Sequence, residues 1–148
     1  MQRRTFFKRI LAAAAGTGAV LSGVSSAAAA TPKQRVAYHL ADEEKVDFVL
    51  GNMRNHVKGV GGPENVELVL VVHGPALKAF HAANASEKTL KSLADLEASG
   101  IRLNACGNTM RAQKVELGDL LPGFARFDQG GVVRLCELQQ QGYLYLRP

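Results

Sequence analysis

The feature that most constrains this 148-residue chain is the run Val66-Glu-Leu-Val-Leu-Val-Val72. A strand with one wet face alternates polar and apolar side chains. A nearly unbroken, β-branched apolar run needs cover on both faces, as in a parallel sheet held between layers of helix. His73-Gly74-Pro75 closes the run, because proline cannot donate to a ladder and glycine turns the chain.

The surrounding sequence repeats that logic. Arg35 to Leu40 is a short β-rich run, and Asp42 offers an N-cap with Glu43 and Glu44 in the first turn, where carboxylates suit the helix dipole. Val46, Val49, Leu50, Met53 and Val57 follow at helical spacing, and Gly59 to Pro63 ends that helix. Ala76 to Ala82 reads as a short helical piece. Ser86 reads as the N-cap of a helix carrying Leu90, Leu93 and Leu96 on one face and ending at Gly100. Ile101 to Ala105 is a third strand, and Cys106-Gly-Asn-Thr109 is the turn that leads to a short helix over Met110 to Val115. Leu117 to Pro122 is a loop or single turn, Phe124 to Phe127 a fourth strand, and Gly130-Gly131 opens a helix to about Gln141. Gly142 ends it, and Tyr143 to Leu146 is the last strand. Strands alternating with helices predict an α/β domain with a parallel sheet, helices on both faces and right-handed crossovers.

The first 30 residues read differently. Arg3-Arg4-Thr-Phe-Phe-Lys8 precedes an Ala-rich apolar stretch from Ile10 to Leu21, and Ala27 to Ala30 stand before Thr31-Pro32. A basic start, a short apolar core and a small-residue end are the parts of a secretory signal. The arginine pair with two aromatics behind it resembles the twin-arginine address. Residues 1–30 are therefore expected to be a signal peptide, residues 31–148 one domain, and the destination the periplasm, with a membrane met only during export. Four of the 18 basic residues and none of the 13 acidic ones lie in that segment, so the remainder carries 14 against 13. A balance so near zero is no nucleic-acid footprint.

Ligands of parallel sheets bind beyond the carboxyl ends of strands, and three reactive side chains are expected there: His39, His73 and Cys106. A cysteine at a strand-to-helix turn faces free N–H groups and the positive end of a dipole, which favour the thiolate. Gly107 beside it is expected to keep the approach to the sulfur open. The histidines could hydrogen-bond the thiolate, serve as acid and base, or join it in holding a soft metal such as copper or zinc. A cysteine is also often a small buried hydrophobe, and a histidine at a strand end is often satisfied by backbone. Asn52, Asn55 and His56 share one helix face, which either reaches a loop or a neighbouring subunit or is simply solvated. Cys136, a turn away from Val132 and Val133, reads as core, so a disulfide to Cys106 is not expected. His81 reads as solvated. No Walker loop, dinucleotide fingerprint, C-x-x-C, H-E-x-x-H or G-x-S-x-G elbow is present, and no cofactor or resident metal is assigned.

The ordered set Val36-Ala-Tyr-His-Leu40, Asn52-x-x-Asn55-His56, Val71-Val-His-Gly-Pro75, Gly100-Ile101, Cys106-x-Asn108-Thr109-Met110, Leu120-Leu-Pro-Gly123 and Gln140-x-Gly-Tyr143 resembles the DsrE/DsrF-like family. The resemblance implies a flavodoxin-like three-layer domain with a five-stranded parallel sheet in the order 4-3-2-1-5, which sets His39, His73 and Cys106 on adjacent strands. It implies assembly as a homotrimer or hexamer, with Asn108 and the first-helix polar residues available for binding. It also implies that Cys106 accepts or relays sulfane sulfur, exchanging it with a donor or acceptor protein. A metal- or small-ligand-binding module and an oligomeric scaffold are the alternatives. The export signal departs from the family's cytoplasmic relay members and sets tRNA thiolation aside.

Overall fold

The computed structural model describes residues 33–148; the expected signal peptide lies outside the described residues. Five strands, β1 (Gln34–Leu40), β2 (Val66–Val72), β3 (Arg102–Cys106), β4 (Phe124–Phe127) and β5 (Leu144–Leu146), form one sheet in the order β4-β3-β2-β1-β5. Every pairing is parallel. The helices are α1 (Val46–Gly59), α2 (Glu87–Ala98), α3 (Gly107–Gln113) and α4 (Gly131–Gln140), with a 3₁₀ turn over Gly74–Phe80 between β2 and α2.

The strand order dictates how the layers are filled. Each step from β1 to β4 moves one place in the same direction, so right-handed crossovers put α1, α2 and α3 on one face. Only the return from β4 to β5 crosses the other face, and it brings α4 alone. The two cores reflect this. Val36, Tyr38, Leu40, Leu68, Leu70, Val72, Leu103 and Ala105 pack against Leu50, Met53, Leu93, Leu96 and Met110. The alternate residues Ala37, Val69 and Val71 pack against Leu135, Leu138 and Tyr143. Both faces of β2 are thus covered, as its composition requires. The thinly covered α4 face is where the candidate site lies.

Ser86 accepts a hydrogen bond from the Thr89 N–H at 3.1 Å, the expected N-cap of α2. Gly100, at φ 74°, ends the same helix. Three local expectations are corrected. Asp42 makes no cap bond and instead pairs with Arg147 at 3.3 Å. Leu90 is exposed, because the buried stripe of α2 runs through Thr89, Ser92, Leu93 and Leu96 and Leu90 lies off it. Helix α3 begins at Gly107 rather than Met110, which makes Cys106 its N-cap residue.

Candidate functional site

His39 is the second-last residue of β1 and pairs with Val71. His73 follows β2 directly, its N–H donating to the Leu40 carbonyl at 3.0 Å. Cys106 ends β3, one residue beyond the Ala105–Val72 pair, and so stands beside His73. Strand side chains alternate between faces, and each of these three is in phase with the residues that face α4. The structure brings all three together at the carboxyl edge of the α4 face.

Cys106 is 5% exposed, and what surrounds it is polar. Burial raises its pKa, but the Thr109 hydroxyl and the N–H groups of Thr109, Gly131 and Asn108 outweigh burial and bring the thiol below its ordinary value. The sulfur forms no completed cap bond to α3; it is held by several aimed dipoles from the starts of α3 and α4. The Thr109 hydroxyl accepts from the Gly74 N–H at 2.9 Å, which leaves its proton free for the sulfur. Contrary to expectation, Gly107 does not open an approach to the sulfur, because a Cβ there would sit 2.8 Å from the Phe127 carbonyl oxygen and 2.9 Å from the Asp128 Cα. It lets α3 start against the end of β4. Gly130 and Gly131 do lie over the sulfur. A Cβ on Gly130 would be 3.7 Å from Sγ, and one on Gly131 would touch Cys106 Cβ at 3.4 Å and His73 Cβ at 3.3 Å.

The histidines meet through their Nε2 atoms. The ring centroids are 4.6 Å apart with planes 22° from parallel, nearly the largest separation that rings touching by Nε2 can have. The nitrogens therefore point at each other. His39 Nδ1 lies 2.7 Å from the Tyr145 hydroxyl. Burial, then His73 and then Arg147 push the His39 pKa down to about 4, while Asp42 pulls upward. Burial and Arg147 also lower His73. Both imidazoles are neutral at neutral pH. Among the described residues no group of three or more His, Cys, Asp or Glu side chains is placed to hold a metal ion, so a joint thiolate–imidazole metal set is not formed.

The other candidates lie elsewhere. Helix α1 runs back from the carboxyl edge, so His56 reaches the opposite end of β1, 3.0 Å from the Tyr38 hydroxyl and 3.1 Å from Gln34 Oε1. Asn52, on the same helix, is half-buried and Asn55 exposed. Asn108 is exposed at the start of α3, accepts from Arg111, and its amide lies against Gly130. His81, read as solvated, is half-buried and 2.8 Å from Gln113 Oε1. Cys136, read as core, is exposed, and both cysteines are free thiols. Its neighbours Val132 and Val133 are also exposed, because α4 has no second layer of helix above it.

Sequence reasoning missed Tyr145, whose role depends on β5 lying beside β1. It also missed Thr109, although a hydroxyl three residues after an N-cap is a readable signal, and it took Gly130-Gly131 only as a helix start.

The fold and this edge define a three-layer α/β domain that presents a thiol surrounded by hydrogen-bond donors beside a pair of neutral imidazoles. No family model matches the sequence, and no curated protein does. Among solved structures, MTH1491 from Methanobacterium thermoautotrophicum, a protein of unknown function, is 28% identical with a TM-score of 0.68, over 78% of this chain and 99% of that one. The ychN protein from E. coli is 13% identical with a TM-score of 0.59, again over 78% and 99%. The fold is thus the flavodoxin-like, three-layer α/β arrangement that these structures share.

Proposed function

We propose that this protein accepts sulfane sulfur on Cys106 and holds it as a persulfide for transfer. The observation that carries the reading is the thiol of Cys106, kept below its ordinary pKa by four donors at the sheet edge where β3 ends beside His73. The thiolate attacks the outer sulfur of a persulfide or polysulfide donor. A sulfur–sulfur bond forms to Cys106, the donor's own sulfur–sulfur bond breaks, and its electron pair leaves with the inner sulfur, which takes a proton. The same donors then stabilise the terminal anionic sulfur of the product. An exposure of only 5% at Cys106 favours slender inorganic or linear donors over a bulky disulfide.

The DsrE-like neighbour in fold, the resemblance of the motifs and the arginine-pair segment together support an exported DsrE/DsrF-like sulfur carrier of the periplasm. The exposed apolar residues Val132, Val133, Leu144 and Leu146 favour self-association through α4 and the outer side of β5, the surface a trimer or hexamer would use. The test is intact-mass analysis after incubation with polysulfide. One sulfur atom gained, and released by a thiol reductant, supports the reading; no gain by the wild type removes it.

A further inference from the structure

The sulfur reading leaves open where the leaving group's proton comes from. We infer that Tyr145, His39 and His73 form one proton-conducting chain from the exposed β5 edge to the Cys106 pocket, with Tyr145 as the positioning residue that sets the tautomers of both imidazoles. The chain itself is independent of the sulfur reading; the use made of its proton rests on that reading.

The geometry leads to this in three steps. First, two ring nitrogens that point at each other in direct contact must share a proton, since two lone pairs would repel. One Nε2 carries the hydrogen and the other accepts it. Second, a neutral imidazole has a single N–H, so fixing one nitrogen fixes the other. When the Tyr145 hydroxyl donates to His39 Nδ1, His39 carries its proton on Nε2 and donates it to His73 Nε2, and His73 carries its own on Nδ1. Third, a concerted shift moves every proton one place. The tyrosine proton passes to His39 Nδ1, the His39 Nε2 proton passes to His73 Nε2, and the His73 Nδ1 proton departs to the thiolate leaving group. Solvent restores the tyrosine proton. One proton enters at Tyr145, which is 42% exposed, and one leaves at His73; no residue ends with a changed charge.

The surroundings suit a chain that works while neutral. The charged groups that act on the pair are Asp42 and Arg147, opposite in sign and joined to each other at 3.3 Å. From α4, Gly131 packs against His73, where a Cβ would meet His73 Cβ at 3.3 Å and Cδ2 at 3.5 Å. Cys106 shares that glycine with His73, its Cβ 3.4 Å from where a Cβ on Gly131 would lie.

The experiment labels histidine with 15N and reads the ring nitrogens of the whole protein by NMR at neutral pH, alongside the rate of sulfur loading. In the wild type each of His39 and His73 is expected in one tautomer, coupled through an N–H···N hydrogen bond. Tyr145→Phe is expected to shift the nitrogens of His73, which Tyr145 does not bond, and to slow sulfur loading about tenfold, below the 10²–10⁴ typical of direct acid catalysis. Alkylation of Cys106 by iodoacetamide, which needs the thiolate but no proton delivery, should keep its rate. In a His39→Gln background, Tyr145→Phe should leave His73 unmoved. Unchanged His73 nitrogens in Tyr145→Phe overturn the chain, and so does an equal slowing of alkylation and loading. A wild type that takes up no sulfur removes the sulfur reading, while the His73 response still decides the chain.

Discussion

Replacing Thr109 by valine keeps the side-chain shape and deletes one oxygen. That oxygen has two jobs. It donates to the Cys106 sulfur, foremost among the donors that lower the thiol's pKa, and it accepts from the Gly74 N–H at 2.9 Å. A hydrogen bond to a charged group contributes about 1.5–3 kcal/mol, so this one favours the thiolate about tenfold or more at a given pH. The thiol of Thr109→Val should therefore titrate higher. Losing the acceptor also strands a half-buried backbone N–H, so stability should fall by about 1–3 kcal/mol. The pKa is read from the pH dependence of iodoacetamide alkylation in a Cys136→Ser background, because exposed Cys136 would otherwise react first. Denaturant melts give the stability. Thr109→Ser keeps the hydroxyl and should restore both quantities. A thiol that titrates unchanged or lower in Thr109→Val, whatever the stability, would refute the account of how this sulfur is ionised.

Three further outcomes follow from the same contacts. His39, with a folded-state pKa of about 4, lies below its unfolded value of about 6.5, so the unfolded chain binds the extra proton between those limits. The stability this contributes is complete above pH ~6.5 and is lost as pH falls toward ~4, by up to about 3 kcal/mol; His39→Gln should flatten that part of the stability curve. Gly107→Ala would press a methyl group onto backbone at 2.8 and 2.9 Å and should cost about 3 kcal/mol in a urea melt, whereas Gly118→Ala, with nothing within 4 Å, should melt within about 0.5 kcal/mol of the wild type. Gly131→Ala meets side-chain carbons at 3.3–3.5 Å, so it should cost only about 1 kcal/mol yet change the rate of sulfur loading, because the methyl sits between His73 and Cys106.

Much of the fold was legible in the residues. The apolar run of β2 required cover on both faces, and the glycines and Ser86 marked where helices stop and start. The strand order came from the motif resemblance, since no local pattern says which strands are neighbours. The misreadings share a cause in tertiary placement. Cys136, Val132 and Val133 have the spacing of a packed helix face, but this topology covers the α4 side with one helix, so part of its apolar surface stays outside. Leu90 differs from Leu93 and Leu96 only in phase. The start of α3 was hidden because Cys106-Gly-Asn108 is poor helix former by composition, although the cap position is what gives the cysteine its donors. For the site, His39, His73 and Cys106 could be named from strand ends alone. Tyr145 could not, because its contact spans 106 positions of sequence and depends on β5 joining beside β1. His56 lies away from the edge, beside Tyr38 and Gln34, because a helix following a strand returns its last turn to the strand's beginning.

The two cysteines supply the most direct test of the central claim. Cys136 is exposed and Cys106 buried, so accessibility alone would direct sulfur to Cys136, whereas the donors around Cys106 direct it there. Brief exposure to polysulfide at neutral pH, followed by peptide-resolved mass analysis of the trapped persulfide, decides between them. Sulfur on Cys106 ahead of Cys136 is the predicted result; sulfur confined to Cys136 would contradict the account.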